Sequence, residues 1–126
     1  MLTETTTTQV VLNAAFKVHS ALGPGLLESA YQECLYYELR RTSCRTEQQK
    51  PLPLIYNEVQ LDCGYRVDLF IDQRLIVEIK SVEALNDIHL AQILTYLRLA
   101  HCRVGLLLNF NVVHLREGIR RVVNDR

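Results

Sequence analysis

Three residues near the middle of the chain, Asp68, Glu78 and Lys80, have types and spacing that suit phosphate chemistry. They lie in two alternating segments, residues 65–71 and 75–80, separated by the polar run Asp72, Gln73 and Arg74. A period of two on both sides of a polar loop predicts a β-hairpin. Because side chains alternate between faces, parity fixes its register. A three-residue loop pairs Ile71 with Leu75 and brings Asp68 directly opposite Glu78. The same register sets Val67 against Ile79, Leu69 against Val77 and Ile71 against Leu75, all apolar, on the other face. A two-residue loop would place Asp68 against Val77 and break that match.

Directly opposed residues in a sheet have β-carbons about 4.5–5.5 Å apart, and like charges there repel. A hard divalent cation such as Mg²⁺ or Mn²⁺ offsets the repulsion, since it takes one or two carboxylates, a carbonyl and several waters. Lys80 follows Glu78 by two residues and so shares its face. There an ammonium group can orient or help deprotonate an attacking water, or stabilise negative charge developing on a phosphate. This is the chemistry of metal-assisted phosphodiester hydrolysis. The plainer alternative is a solvated hairpin face on which Arg66 and Lys80 neutralise the acids. Phe70 and Ile76 on that same face weigh against full exposure, and half-covered acids need partners.

The elements that must position these residues are legible from periodicity. Residues 9–22 carry Val11, Ala15, Val18 and Leu22 at helical spacing and stop at Gly23-Pro24-Gly25. A second helix is predicted from Leu26 to about Arg41, with Leu27, Tyr31, Cys34 and Leu35 marking a buried stripe and Glu28 and Gln32 a turn apart on a neighbouring one. Extended structure follows from Cys44, punctuated by Pro51 and Pro53, with a turn at Asn57-Glu58. Residues 85–100 return to helical spacing through Leu85, Ile88, Ile93 and Leu97. The run Val104-Gly105-Leu106-Leu107-Leu108 then reads as a strand buried on both faces. Strand, helix, strand implies a crossover, so the hairpin joins a mixed sheet covered by helices. The tail from Asn111 fits either an edge strand or a short helix.

The 126 residues suit one domain spanning 1–126. Hydrophobic residues at 48% and charged residues at 22% are ordinary for a globular protein with a real core. The 14 basic and 14 acidic side chains cancel, so any nucleic-acid contact must come from a local patch. Eleven of the 14 basic residues are arginine, and two groups stand out: Arg40, Arg41 and Arg45, and Arg116, Arg120 and Arg121. Arginine forks suit phosphate, and equally a salt-bridged surface. No apolar run is long enough to span a bilayer and the first residues lack a signal-peptide pattern, so a cytoplasmic location is expected. The cysteines Cys34, Cys44, Cys63 and Cys102 form no CxxC pair and are read as reduced thiols.

The spacing of Asp68 with Glu78-Ile79-Lys80 resembles the PD-(D/E)XK nuclease superfamily. Gly25-Leu26-Leu27-Glu28-Ser29-Ala30-Tyr31 resembles the GxxExxY signature of small proteins within it, and Gln92-Ile93-Leu94-Thr95-Tyr96 is similar to the QxxxY motif of RecB-like exonucleases. The runs Gly105–Phe110 and Gly118–Arg121 also look like GxxExxY proteins, so the likeness extends from about Val10 to Val123. Val67 stands where the superfamily's name has proline, and the four-cysteine cluster of some RecB-like relatives is missing. The resemblance implies an α/β, restriction-endonuclease-like core: a mixed sheet of about four to five strands flanked by helices. It implies that Asp68 and Glu78, completed by Glu28, hold Mg²⁺ or Mn²⁺, that Lys80 serves the water, and that Gln92 and Tyr96 lie beside them. Helical spacing independently puts Gln92 and Tyr96 on one face, with His89 a turn earlier. The expected function is a metal-dependent nuclease acting on DNA or RNA. The alternative is a catalytically silent module that binds nucleic acid or a protein partner, and a homodimer is compatible with either.

Overall fold

The computed structural model describes residues 3–125; residues 1, 2 and 126 of the expected domain lie outside the described residues. The chain opens with α1 (Glu4–Leu22) and α2 (Glu28–Arg40), runs through β1 (Thr46–Pro51), β2 (Leu54–Tyr56), β3 (Val59–Leu61), β4 (Arg66–Ile71) and β5 (Leu75–Lys80), and continues with α3 (Asp87–Leu99), β6 (Val104–Asn109), a 3₁₀ turn (Leu115–Gly118) and β7 (Ile119–Val123). Five strands form one sheet in the order β1-β4-β5-β6-β7, while β2 and β3 pair only with each other. Only β5 and β6 are parallel in the large sheet, joined by α3 as the required crossover. This is the expected α/β core, a mixed sheet flanked by three helices. The tail resolves as an edge strand entered through the 3₁₀ turn.

Alternation divides the core between the two faces of the sheet. Leu75, Val77 and Ile79 of β5 and Val104, Leu106 and Leu108 of β6 pack under Val11, Ala15 and Val18 of α1 and Tyr31, Leu35 and Leu39 of α2. Ile76 and Leu107 face the other way, against Ile93, Tyr96 and Leu97 of α3. All six residues of β6 are buried, as its continuous apolar run requires. Among the described residues no helix is long and apolar enough to cross a membrane. All four cysteines are free thiols.

Leu27, expected in the buried stripe of the second helix, is the N-cap residue of α2 and 76% exposed, because it lies ahead of the turn that packs on the sheet. Two further expectations need correction. The first helix begins at Glu4, not near residue 9, despite four threonines of modest helix propensity. Thr3 caps it by accepting from the Thr6 N–H at 3.1 Å, and buried Thr7 packs inward with its hydroxyl 3.3 Å from an Asp72 oxygen. Capping and packing outweigh intrinsic preference. The second concerns Val67, which parity sets opposite Ile79 beside Leu69. The structure packs it on the α3 side with Leu52 and Ile76. The reason lies in its neighbour strand, where Gln49 adopts a left-handed backbone (φ 50°), and the β1–β4 ladder pairs Gln48 with Leu69 and Lys50 with Val67 but skips Gln49 and Asp68. The strict alternation of β4 is lost at Asp68.

At Gly105 the side chain of Ile93 from α3 packs tightly on the sheet: a β-carbon there would lie 2.9 Å from Ile93 Cδ1 and 3.3 Å from the Ile76 carbonyl. Substituting Gly105→Val should lift α3 and cost about 1–3 kcal/mol by overpacking, seen as a lower midpoint in chemical denaturation. An unchanged midpoint would show that α3 is not held against β6 by this contact.

Candidate active site

The hairpin has the register that parity demands, with Ile71 paired to Leu75, Phe70 to Ile76 and Leu69 to Val77. Its turn uses left-handed Asp72 and Gln73 (φ 52° and 56°), and the Arg74 N–H closes it on the Ile71 carbonyl at 3.0 Å. Beyond Leu69 the ladder changes character. The Asp68 N–H donates to Glu78 Oε2 at 2.7 Å, and the Ile79 N–H donates to Asp68 Oδ2 at 2.8 Å. Each carboxylate is thus pinned by a main-chain donor of the opposing strand. One oxygen of each is occupied in this way, and the second oxygen of Asp68 accepts from the Gln49 side-chain amide.

Burial makes this arrangement electrostatically expensive. Glu78 is only 4% exposed. Burial first, and the Asp68 charge second, push its carboxyl up to about 8 from an ordinary 4.5, against the favourable pull of the Asp68 N–H and Lys80. Asp68 is also raised by burial, with the Ile79 N–H and the Gln49 amide acting the other way. Lys80 supplies the nearby positive charge, yet its Nζ bonds Gln92 Oε1 at 3.3 Å and, among the described residues, makes no ion pair with either acid. A buried and a half-buried carboxylate, oxygen-only ligands short of positive charge, fit a hard divalent cation. Among the described residues no three His, Cys, Asp or Glu side chains gather into a ligand cage. Two carboxylates with waters and a substrate phosphate are the usual set for Mg²⁺.

Glu28, expected as a third ligand, starts α2 at the rim of the site. Its Oε2 lies 3.4 Å from the Ser81 N–H, just past Lys80, and its charge is felt by both Asp68 and Glu78. It is therefore near the pair without joining it in one cluster. Its position is set by Tyr31, whose hydroxyl accepts from the Leu26 N–H at 3.1 Å and donates to the Gly23 carbonyl at 2.5 Å. The Tyr31 ring stacks on Phe110 with centroids 4.7 Å apart. Ser81 Oγ donates to the Leu26 carbonyl at 2.6 Å, tying the same turn to the end of β5.

The helix α3 brings Gln92 and Tyr96 to the site. Gln92 Nε2 donates to the Tyr96 hydroxyl at 3.2 Å while its carbonyl oxygen takes Lys80, a short chain that orients the ammonium group. Burial and the Glu78 charge raise the Tyr96 phenol above its usual value, keeping it protonated. His89 lies on the capping box of α3 instead: its Nδ1 accepts from the Asn86 N–H at 3.1 Å and Asn86 Oδ1 accepts from the His89 N–H at 3.2 Å.

Spacing missed a polar fan on the other side. Gln49 Nε2 lies 3.2 Å from Asp68 Oδ1 and 2.9 Å from Gln32 Oε1, and Gln32 in turn donates to Gln48 at 3.0 Å. It also missed buried Asn109, which clamps the segment after β5 by accepting from the Val82 N–H and donating to the Val82 carbonyl, at 3.1 and 3.0 Å.

The arginines are scattered. Arg40 and Arg41 end α2, about 18 Å along the helix from Glu28, and lie over the rings of Tyr36 and Tyr37. Arg45 pairs with Glu47, and Arg121 with Glu4 of α1. Arg116 is exposed on the 3₁₀ turn. Arg120 alone shares a row with the site: it pairs with Leu107, which pairs with Glu78, putting it about 10 Å away across two strand spacings.

The family model of the PD-(D/E)XK nuclease superfamily matches residues 5–122, and the chain belongs to that superfamily. No curated protein and no solved structure gave a significant match.

The raised Glu78 carboxyl has a definite consequence for stability. Between about 4.5 and about 8 the folded chain holds a proton that the unfolded chain has lost, so the metal-free protein should lose stability as pH rises through that window. Urea denaturation across pH should show this fall in the wild type and a much flatter profile for Glu78→Gln. Equal slopes would place the buried charge elsewhere.

Proposed function

From the pinned carboxylate pair of this PD-(D/E)XK superfamily member, we propose that the protein is a Mg²⁺- or Mn²⁺-dependent nuclease that hydrolyses phosphodiester bonds. The observation that carries the reading is the pairing of half-buried Asp68 with buried Glu78, each held by a main-chain N–H of the opposing strand, with Lys80 beside them. Likeness of Gly25, Glu28 and Tyr31 to the GxxExxY signature supports placing it among those small proteins.

Asp68 and Glu78 would hold the divalent ion, which would supply Lewis acidity toward the phosphate and the attacking water. Lys80, oriented by Gln92, stabilises the charge that builds on the phosphate oxygens. Gln92 is itself held by Tyr96, so Tyr96 acts as a positioning residue. Glu28, fixed by Tyr31 and Ser81, takes a water of the same site by hydrogen bonding. The main-chain N–H groups of Asp68 and Ile79 keep both acids oriented before substrate arrives.

The test is cleavage of end-labelled single- and double-stranded DNA and RNA with Mg²⁺ or Mn²⁺. Asp68→Ala and Glu78→Gln should abolish cleavage, Lys80→Ala should slow it by about 10²- to 10³-fold, and chelation should stop it. Retained cleavage in Glu78→Gln would contradict the assignment. Binding without cleavage in the wild type would favour the silent module.

A further inference from the structure

Resting on that reading, we propose that Tyr65 and Arg66 form the substrate lip of the site, Tyr65 stacking on an unpaired base and Arg66 holding the adjoining phosphate, so that the substrate is single-stranded nucleic acid. Tyr65 immediately precedes β4, three residues before Asp68, and its ring meets that of Tyr96 at a centroid separation of 6.1 Å and a tilt of 57°. From Tyr96 the chain of contacts runs through Gln92 to Lys80. An aromatic ring is thus linked by contacts to Lys80, beside the acid pair. Tyr65 as a whole is nevertheless 42% exposed. Its main chain is fixed, since the Tyr65 carbonyl accepts from the Leu52 N–H at 2.8 Å. It is therefore a held platform with an open side, as base stacking requires.

Arg66 adds the matching charge. It is exposed and, among the described residues, has no ion pair or hydrogen-bond partner, unlike Arg45, Arg103 and Arg121, which bind acids. A duplex fits this lip poorly, because its bases are stacked on each other and offer no face to Tyr65. The neighbouring pair β2–β3 exposes Ile55, Tyr56 and Val59, and these would instead suit a protein partner. The continuity of Tyr65 with Tyr96, Gln92 and Lys80 favours nucleic acid.

The experiment measures fluorescence anisotropy with Ca²⁺ in place of Mg²⁺, using a labelled oligothymidylate, an abasic strand of the same length, and a duplex. Tyr65→Ala should weaken oligothymidylate binding about 5- to 150-fold and leave abasic-strand and duplex binding unchanged. Tyr65→Phe should bind as the wild type does. Arg66→Ala should weaken both single strands alike. If Tyr65→Ala binds oligothymidylate normally while Asp68→Ala abolishes cleavage, the lip is overturned and the nuclease stands. If the wild type neither binds nor cleaves any nucleic acid, both fall. A loss of self-association in Tyr65→Ala by sedimentation, with oligothymidylate binding intact, would overturn the lip in favour of a protein interface.

Discussion

Two carboxylates of like charge, held against each other under a helix, are the constraint around which this protein is built. Left alone they would separate or neutralise, because burying an unpaired charge is far more costly than a surface ion pair is helpful. The hairpin prevents separation by giving each acid a main-chain donor from the opposite strand. Neutralisation is what the raised Glu78 carboxyl records. The fold therefore stores a demand for positive charge at one point, and Lys80 answers it only in part, being tied to Gln92.

The remaining architecture serves to keep that point fixed. The β5–β6 pairing buries the hairpin in the middle of the sheet, where neither strand is an edge. The crossover helix α3 brings Gln92 and Tyr96 to it, and Gly105 leaves room for Ile93 of the same helix. On the opposite face Tyr31 joins the turn between α1 and α2 to Phe110, and Asn109 clamps the segment after Lys80. Both clamps act on residues adjoining the site, so the Gly25, Glu28 and Tyr31 spacing has a mechanical meaning: the tyrosine sets the turn that delivers the glutamate.

Much of this was legible in the residue order. The odd loop of the hairpin followed from apolar parity, and the buried strand after α3 followed from its unbroken apolar run. Residues such as Glu28, Gln92 and Tyr96 were placed near the site by motif likeness, and the structure brings all three toward Lys80 or the acids. What escaped were features that depend on one backbone angle or on long-range packing. A left-handed Gln49 has no compositional signal, since glycine or asparagine usually marks such a position, and with it went the orientation of Val67. The early start of α1 was hidden by its threonines because the compensating contact, Thr7 with Asp72, joins residues 65 positions apart in the chain. Tyr65 opens the alternating segment in the sequence yet falls just before β4, and its contact with Tyr96 has no signal in local spacing.

The central claim is that the Asp68–Glu78 pair is a divalent cation site, and calorimetric titration of Mn²⁺ into the wild type and Asp68→Ala tests it most directly. The account predicts saturable binding by the wild type near neutral pH, with a heat that varies with buffer because Glu78 must release its proton, and no such binding by the variant. Equal binding in both proteins, or none in the wild type even with a phosphodiester oligonucleotide present, would contradict it.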